Sequence, residues 1–198
     1  MEDDRRERWN SRYRNGNNHH KVPSPIFLKE TAPLQPGKAL DLAAGTGHNA
    51  MALASRGWEV TAVDFSDVAI EAGKAMAAEA GLSIHGVIAD VRSYDPEPQS
   101  FDLVTICYFH PGTELLALVL QKAQKALKHE GTLLVIGHDA KNTLGGPQNQ
   151  ELLYTPQKLT ALLAGMEIIK AESQRHPSGY DTDGAPVQVD CVVTAKKR

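Results

Sequence analysis

The stretch Lys38-Ala39-Leu40-Asp41-Leu42-Ala43-Ala44-Gly45-Thr46-Gly47-His48-Asn49-Ala50 decides the architecture of this 198-residue chain. A short apolar run carrying one acid crosses two glycines and enters a helical pattern, so it reads as strand, tight loop and helix start. Gly45 and Gly47 have no Cβ to hold a ligand away from the backbone. The helix that opens near His48 aims unpaired N–H groups at the same place.

Outward from this stretch, strands are expected at 39–42, 59–63, 84–89, 101–106 and 132–137, and helices at 48–56, 67–80 and 114–128. Several of the strands are short apolar runs, as parallel strands covered on both faces should be. Gly57, Gly81 and Gly131 follow the helices as C-terminal caps, and Ser66 is placed to cap the second helix at its start. Thr155-Pro156 opens a further helix, with Thr as N-cap and Pro in the first turn, that ends at Gly165. Segments 167–172 and 187–194 read as two strands. In the second, Val187, Val189, Cys191 and Val193 alternate with Gln188 and Asp190, as in a strand with one better-buried face. Alternating β and α followed by a β pair predicts an α/β fold: a doubly wound, mostly parallel sheet with a C-terminal antiparallel hairpin. The length fits one domain, 1–198, with 1–36 as an N-terminal cap segment and 37–198 as the α/β core.

Residues 2–14 are highly charged and helical in pattern, with Trp9 and Tyr13 four apart on one face. That face either packs on the domain or closes over a bound ligand. Residues 15–20 form a polar loop in which the adjacent His19 and His20 lack metal-ligand spacing and are expected in solvent. Pro23-Ser24-Pro25 starts a short helix near 26–30, which Pro33 and Pro36 end.

The net charge of −3 argues against an extended nucleic-acid surface, and Lys196-Lys197-Arg198 reads as a solvated terminus. Cys107 and Cys191 make neither a disulfide framework nor a metal cluster and read as buried thiols, so no metal is expected. The charged first residues lack a leader's apolar core, and no apolar run approaches a membrane span. The expectation is a cytoplasmic monomer or homodimer that works without nucleic acid or membrane.

Two ligands compete for the glycine loop. Gly45-Thr46-Gly47-His48-Asn49-Ala50 fits the dinucleotide fingerprint. Asp41 lies just upstream, and its carboxylate would repel a pyrophosphate but welcome an ammonium group. S-adenosylmethionine carries both an ammonium and a carboxylate at its amino-acid end, so Asp41 can face the one and the helix N-terminus the other. Asp64 ends the second strand roughly 20 residues past the loop, where a carboxylate accepts ribose hydroxyls in either ligand. It also reads as a helix-capping Asp. Phe65 beside it is placed to cover an adenine edge.

Leu40-Asp41-Leu42-Ala43-Ala44-Gly45-Thr46-Gly47, then Val63-Asp64-Phe65-Ser66, then Ala89-Asp90-Val91, resemble motif I, the acidic post-motif and motif II of class I S-adenosylmethionine-dependent methyltransferases. Trp9-Asn10-Ser11-Arg12-Tyr13 resembles the N-terminal segment of the small bacterial tellurite-resistance type within that class. The class often has Gly where Ala43 stands. The resemblance implies a seven-stranded, Rossmann-like sheet of order 3-2-1-4-5-7-6. It implies that Asp90 accepts the adenine amino group while the Val91 N–H completes that contact, and that Trp9 and Tyr13 close over the cofactor. Ala43, Asn49 and Cys107 join the lining on the same ground.

Cys107-Tyr108-Phe109-His110-Pro111 follows the fourth strand, where the class places cofactor wall and substrate contacts. His110 either takes a substrate proton or is a packed loop histidine. Tyr108 and His138 are candidate substrate contacts. The segment 140–154, with Gly145-Gly146-Pro147, is a candidate lid, and Arg175 and His176 near the hairpin are given no role. The implied activity is methyl transfer to a small-molecule or oxyanion acceptor, leaving S-adenosylhomocysteine. The alternatives are an NAD(P)-dependent oxidoreductase and a non-catalytic S-adenosylmethionine-binding regulator. The sulfonium supplies the electrophile, so the protein's task is alignment and exclusion of water.

Overall fold

Residues 2–16, 22–175 and 188–198 are described by a computed structural model. The chain runs α1 (Glu2–Arg14), α2 (Pro25–Thr31), β1 (Lys38–Leu42), α3 (His48–Ala54), β2 (Glu59–Asp64), α4 (Asp67–Glu79) and β3 (His85–Ile88). It continues through β4 (Phe101–Cys107), α5 (Thr113–Ala126), β5 (Leu127–His138), a short 3-10 turn (Gln150–Leu152), α6 (Pro156–Ala161), β6 (Met166–Arg175) and β7 (Val189–Lys197). The seven strands form one sheet of order β3-β2-β1-β4-β5-β7-β6, as the resemblance implied. β1 is parallel to both β2 and β4, while β7 runs antiparallel between β5 and β6. The connections reverse direction between β1 and β4, which opens a crevice at the carboxyl ends of those strands.

Both faces of the central strands are covered, which is why their runs are apolar without alternation. Leu40, Leu42, Val104, Ile106, Leu133 and Val135 pack on one face with Leu116, Val119 and Leu120 of α5 and Leu159 of α6. Ala39, Val60, Leu103, Leu134 and Ile136 pack on the other with Phe27 of α2 and Ala50 and Leu53 of α3. Each fully buried Leu, Val or Ile contributes roughly 1.5–3 kcal/mol over an exposed one. Capping follows the sequence at two helices. The Ser66 hydroxyl accepts from the Ala69 N–H at 3.1 Å, and the Thr155 hydroxyl from the Lys158 N–H at 3.1 Å.

The structure corrects three expectations. The helix expected at 114–128 ends at Ala126, and Leu127 is already extended at φ −68°, ψ 140°. Gly131 is therefore inside β5 and caps nothing. Its missing Cβ would lie 2.9 Å from the Lys128 carbonyl oxygen and 3.1 Å from that of Phe101, so it serves close backbone approach beside an irregular β4–β5 pairing. Lys196 and Lys197 are strand residues and not a loose tail: Lys197 Nζ donates to the Leu127 carbonyl at 2.7 Å. Asp190, expected on the poorer-covered face of the last strand, is fully buried, because the Tyr108 and His138 side chains lie against it there. Val187, His176, His19 and His20 lie outside the described residues.

Candidate functional site

The glycine loop has the conformation its residues anticipated, with Gly45 at φ 56° and Gly47 at φ 71°. Ala43 is also left-handed, at φ 58°, which gives a physical reason for glycine at that position in the resembling class. Asp64 accepts the Gly45 N–H at 2.9 Å and the Ser66 N–H at 2.9 Å. It thus ties the loop after β1 to the start of α4. Asp64 is 3% exposed, and burial raises its pKa against the pull of those two hydrogen bonds. Asn49 lies in the first turn of α3 and Phe65 directly after β2, both half-buried, and Val91 is buried beyond β3.

Asp41 is 1% exposed. It pairs in register with Thr105 on β4, whose hydroxyl donates to its Oδ1 at 2.7 Å. Its Oδ2 is buried and has no hydrogen-bond partner among the described residues. Burial, opposed by the Thr105 hydrogen bond, raises the carboxyl to about 7. An unpartnered buried carboxylate oxygen beside a glycine cradle fits a cationic ligand group. Thr105 was missed in the sequence because a lone Thr in an apolar strand carries no signal.

α1 covers the crevice, and polar contacts hold it there. Arg5 donates to Asp90 Oδ2 at 2.7 Å, and its guanidinium lies 5.0 Å from the Phe65 ring centroid. Arg6 pairs with Asp67 at 3.0 Å, and Asn10 donates to Asp67 Oδ1 at 2.8 Å while accepting the Ser66 hydroxyl at 2.6 Å. Among the described side chains of α1, only Asn10 is buried. Tyr13 faces inward: a Cβ on Gly45 would lie 2.9 Å from its hydroxyl, and burial raises its pKa, with Asp64 adding to the shift. Trp9 contacts Tyr13 at 5.8 Å between centroids but is 40% exposed, so the two aromatics divide between solvent and crevice. Asp90 also accepts from Arg92 Nε and Nη2. Burial opposes its ionisation, but those bonds and the Arg5 and Arg92 charges hold its carboxyl below the usual value.

A second cluster lies further along the carboxyl edge. Tyr108, at φ 54°, donates to Asp190 Oδ2 at 2.6 Å and accepts from the Ser24 hydroxyl at 3.3 Å. His138 is 8% exposed, and its Nδ1 lies 3.4 Å from Asp190 Oδ1. Cys107 sits between the two acids: burial, then Asp41 and Asp190, raise its thiol well above the ordinary value. His110 stacks on His138 at 5.3 Å, and Tyr154 donates to the Phe109 carbonyl below it. His110 Nδ1 donates to the Leu152 carbonyl at 2.9 Å, and its Nε2 accepts the His138 N–H at 3.2 Å. Both ring nitrogens of His110 are engaged by backbone, and burial lowers its pKa to about 4. The segment after β5 is pinned at its base, where Ala140 N–H donates to Tyr154 O at 2.7 Å and Asn142 accepts the Val189 N–H at 3.0 Å. Its Gly146 lies against His138, since a Cβ there would be 2.3 Å from the ring. Asp190 escaped the sequence reading because strand alternation put it on the less buried face.

Among the described residues there is no metal-ligand cluster, and no helix is long and apolar enough to cross a membrane.

Residues 39–131 match the family described as a methyltransferase domain. The chain is 30% identical over 132 residues to a probable thiol methyltransferase 2 of Arabidopsis thaliana, covering 63% of this chain and 58% of the relative. The chain spans between 55% and 58% of the length of the first two curated relatives it matches. Among solved structures it resembles TehB from Haemophilus influenzae, with a TM-score of 0.74 at 14% identity over 96% of this chain and 67% of that one. It also resembles a SAM-dependent methyltransferase from Aquifex aeolicus, with a TM-score of 0.71 at 15% identity over 96% and 98% of the two chains. The matched stretch runs from β1 into the start of β5 and carries the glycine loop, Asp64 and Asp90.

Proposed function

We propose that the chain transfers a methyl group from S-adenosylmethionine to a small-molecule or oxyanion acceptor. The observation that carries this reading is the buried, unpartnered Oδ2 of Asp41 beside the Gly45–Gly47 turn. A dinucleotide pyrophosphate at that position would meet a carboxylate, whereas an ammonium group is attracted to it. Asp41 with Thr105 would hold the ammonium, and the loop and the start of α3 the carboxylate. Asp64 would take the ribose hydroxyls, and Asp90, Val91 and Phe65 the adenine. Ala43, Asn49, Cys107, Trp9 and Tyr13 would complete the lining.

When bound, S-adenosylmethionine supplies an activated methyl group on a sulfonium. The chain's own work is to bind and orient it, to exclude water with α1 and the 140–154 segment, and to place the acceptor near Tyr108 and His138. The relative named a probable thiol methyltransferase and the fold shared with TehB support a small acceptor and the tellurite-resistance type.

Calorimetry tests the reading. S-adenosylhomocysteine should bind, NAD should not, and Asp41→Asn should weaken the former by at least about tenfold, since 1.4 kcal/mol is one decade. Preferential binding of NAD would overturn it.

A further inference from the structure

We propose that His138 and Asp190 are the acid–base pair that takes the proton of a protic, neutral acceptor, a thiol above all, and that Tyr108 positions Asp190 for it. This rests on the methyl-transfer reading and narrows its acceptor class.

The pair is built by the sheet. His138 of β5 and Asp190 of β7 are directly opposite in the antiparallel register, which sets their side chains on one face. His138 Nδ1 lies 3.4 Å from Asp190 Oδ1, within ion-pair reach and outside hydrogen-bond geometry. Asp190 is fully buried and takes the Tyr108 hydroxyl on its other oxygen at 2.6 Å. A buried carboxylate held this way stands beside the ring as a fixed acceptor that a proton-carrying imidazole can use. Tyr108 keeps the left-handed φ of 54° that brings its hydroxyl there.

The cluster lies at the same edge of the sheet as Asp41, because Asp41 pairs with Thr105 of β4 and Tyr108 follows the end of that strand. The second ring nitrogen of His138, Nε2, faces the lid segment: a Cβ on Gly146 would lie 2.7 Å from it. Only glycine leaves room there, and Nε2 meets an acceptor when that segment moves aside. Neighbouring His110 is unsuited to the task, both its nitrogens being held by backbone. The groups facing His138 are Asp190 from β7 and Tyr108 and His110 from the segment after β4. Lys158 of α6 acts on His110 behind it.

The buried acid also selects the acceptor. An oxyanion brings its own charge, needs no base, and is repelled by Asp190. A thiol, with an ordinary pKa of about 8.5, is mostly protonated at neutral pH and needs a base of imidazole strength. In the step, the S–H bond of the acceptor breaks and its proton goes to His138 Nε2. The electron pair left on the acceptor sulfur forms the bond to the methyl carbon. The methyl–sulfonium bond breaks with its electrons staying on the cofactor sulfur, so S-adenosylmethionine leaves as S-adenosylhomocysteine. The imidazolium then returns its proton to solvent.

The test is turnover of the full chain with S-adenosylmethionine, each variant being checked for folding by circular dichroism and for S-adenosylhomocysteine binding by calorimetry. With 2-mercaptoethanol and selenite as probes, the thiol should be methylated in preference. His138→Gln should cut kcat for the thiol at least about tenfold with cofactor binding unchanged. Asp190→Asn should cut kcat at least about tenfold with KM within threefold, and Asp190→Glu should restore part of it. If Asp190→Asn does not fold, Tyr108→Phe should lower kcat with KM within threefold. Full kcat in folded His138→Gln, or preferential methylation of selenite, overturns the proposal. Loss of S-adenosylhomocysteine binding by the wild-type chain would instead overturn the cofactor reading.

Discussion

Arg5 and Asp90, 85 residues apart in sequence, are joined by a 2.7 Å charge-assisted hydrogen bond that lays the Arg5 guanidinium over Phe65. The N-terminal helix thus occupies the acidic and aromatic corner proposed for an adenine ring. Adenine could take Asp90 only by moving Arg5 aside, while Arg92 keeps the carboxylate partly paired. Arg5→Ala should therefore tighten S-adenosylhomocysteine binding by about two- to fivefold, the range of a half-exposed ion pair worth up to about 1 kcal/mol. Calorimetry at low and high salt checks this, and wild type should approach the variant as salt rises. Weaker binding by the variant would show that Arg5 supports the ligand instead.

Because α1 is attached through polar side chains, it should behave as a detachable cover. Hydrogen exchange in residues 2–16 should be fast in the free protein and slow when S-adenosylhomocysteine binds. Removing the first 14 residues should lower turnover and leave the sheet folded, because α1 contributes no buried apolar side chain among those described. Full turnover by the truncated chain would make α1 a mere packing element.

Asp41 links ligand binding to proton release. Its carboxyl is raised to about 7, so at pH 6 it is largely protonated in the free protein. An ammonium group beside Oδ2 favours the carboxylate, so binding should release close to one proton at pH 6 and none well above pH 7. Calorimetry in buffers of different ionisation enthalpy measures this. The sign for stability is opposite to that of a paired acid. A raised folded pKa means the native state binds the extra proton, so stability is lost as pH rises from the unfolded value of 3.8 through about 7. Asp41→Asn should consequently gain on wild type in Tm as pH rises from 5 to 8, and no trend would remove Asp41 from its buried setting.

Ala43→Gly should stabilise the fold. The left-handed φ of 58° costs an Ala roughly 1–2 kcal/mol, of which glycine's extra unfolded-state entropy returns about 0.4–1. The net gain of about 0.5–1 kcal/mol should raise Tm by about 1–4 °C in a chain of this size. Thermal unfolding decides it.

Asp64→Ala should cost both stability and affinity. The residue is 3% exposed and accepts two backbone N–H groups, so it is not a surface residue at a loop edge. Its loss should leave two N–H groups unpaired, at about 1–3 kcal/mol each, and should weaken S-adenosylhomocysteine binding by at least tenfold. Unchanged affinity in the folded variant would remove Asp64 from the site.

What the sequence determined by itself was local. The Asp41–Gly47 strand and turn, the Ser66 and Thr155 caps and the left-handed glycines depend on residues a few positions apart, and local sterics or hydrogen bonds enforce each of them. The apolar runs likewise announced strands covered on both faces. The end of α5 was less legible, because Leu127 continues the helical pattern and only pairing with Phe101 draws it into the sheet. Tertiary structure alone decided the partners of the acids. Asp41 meets Thr105, Asp90 meets Arg5, and Asp190 meets His138 and Tyr108 across separations of 64, 85 and 52 to 82 residues. Strand register and strand order set those meetings, and neither is a local property. Asp190 shows the reason most plainly: alternation along β7 assigned it to the open face, and Tyr108 and His138, carried there by β4 and β5, closed that face over it.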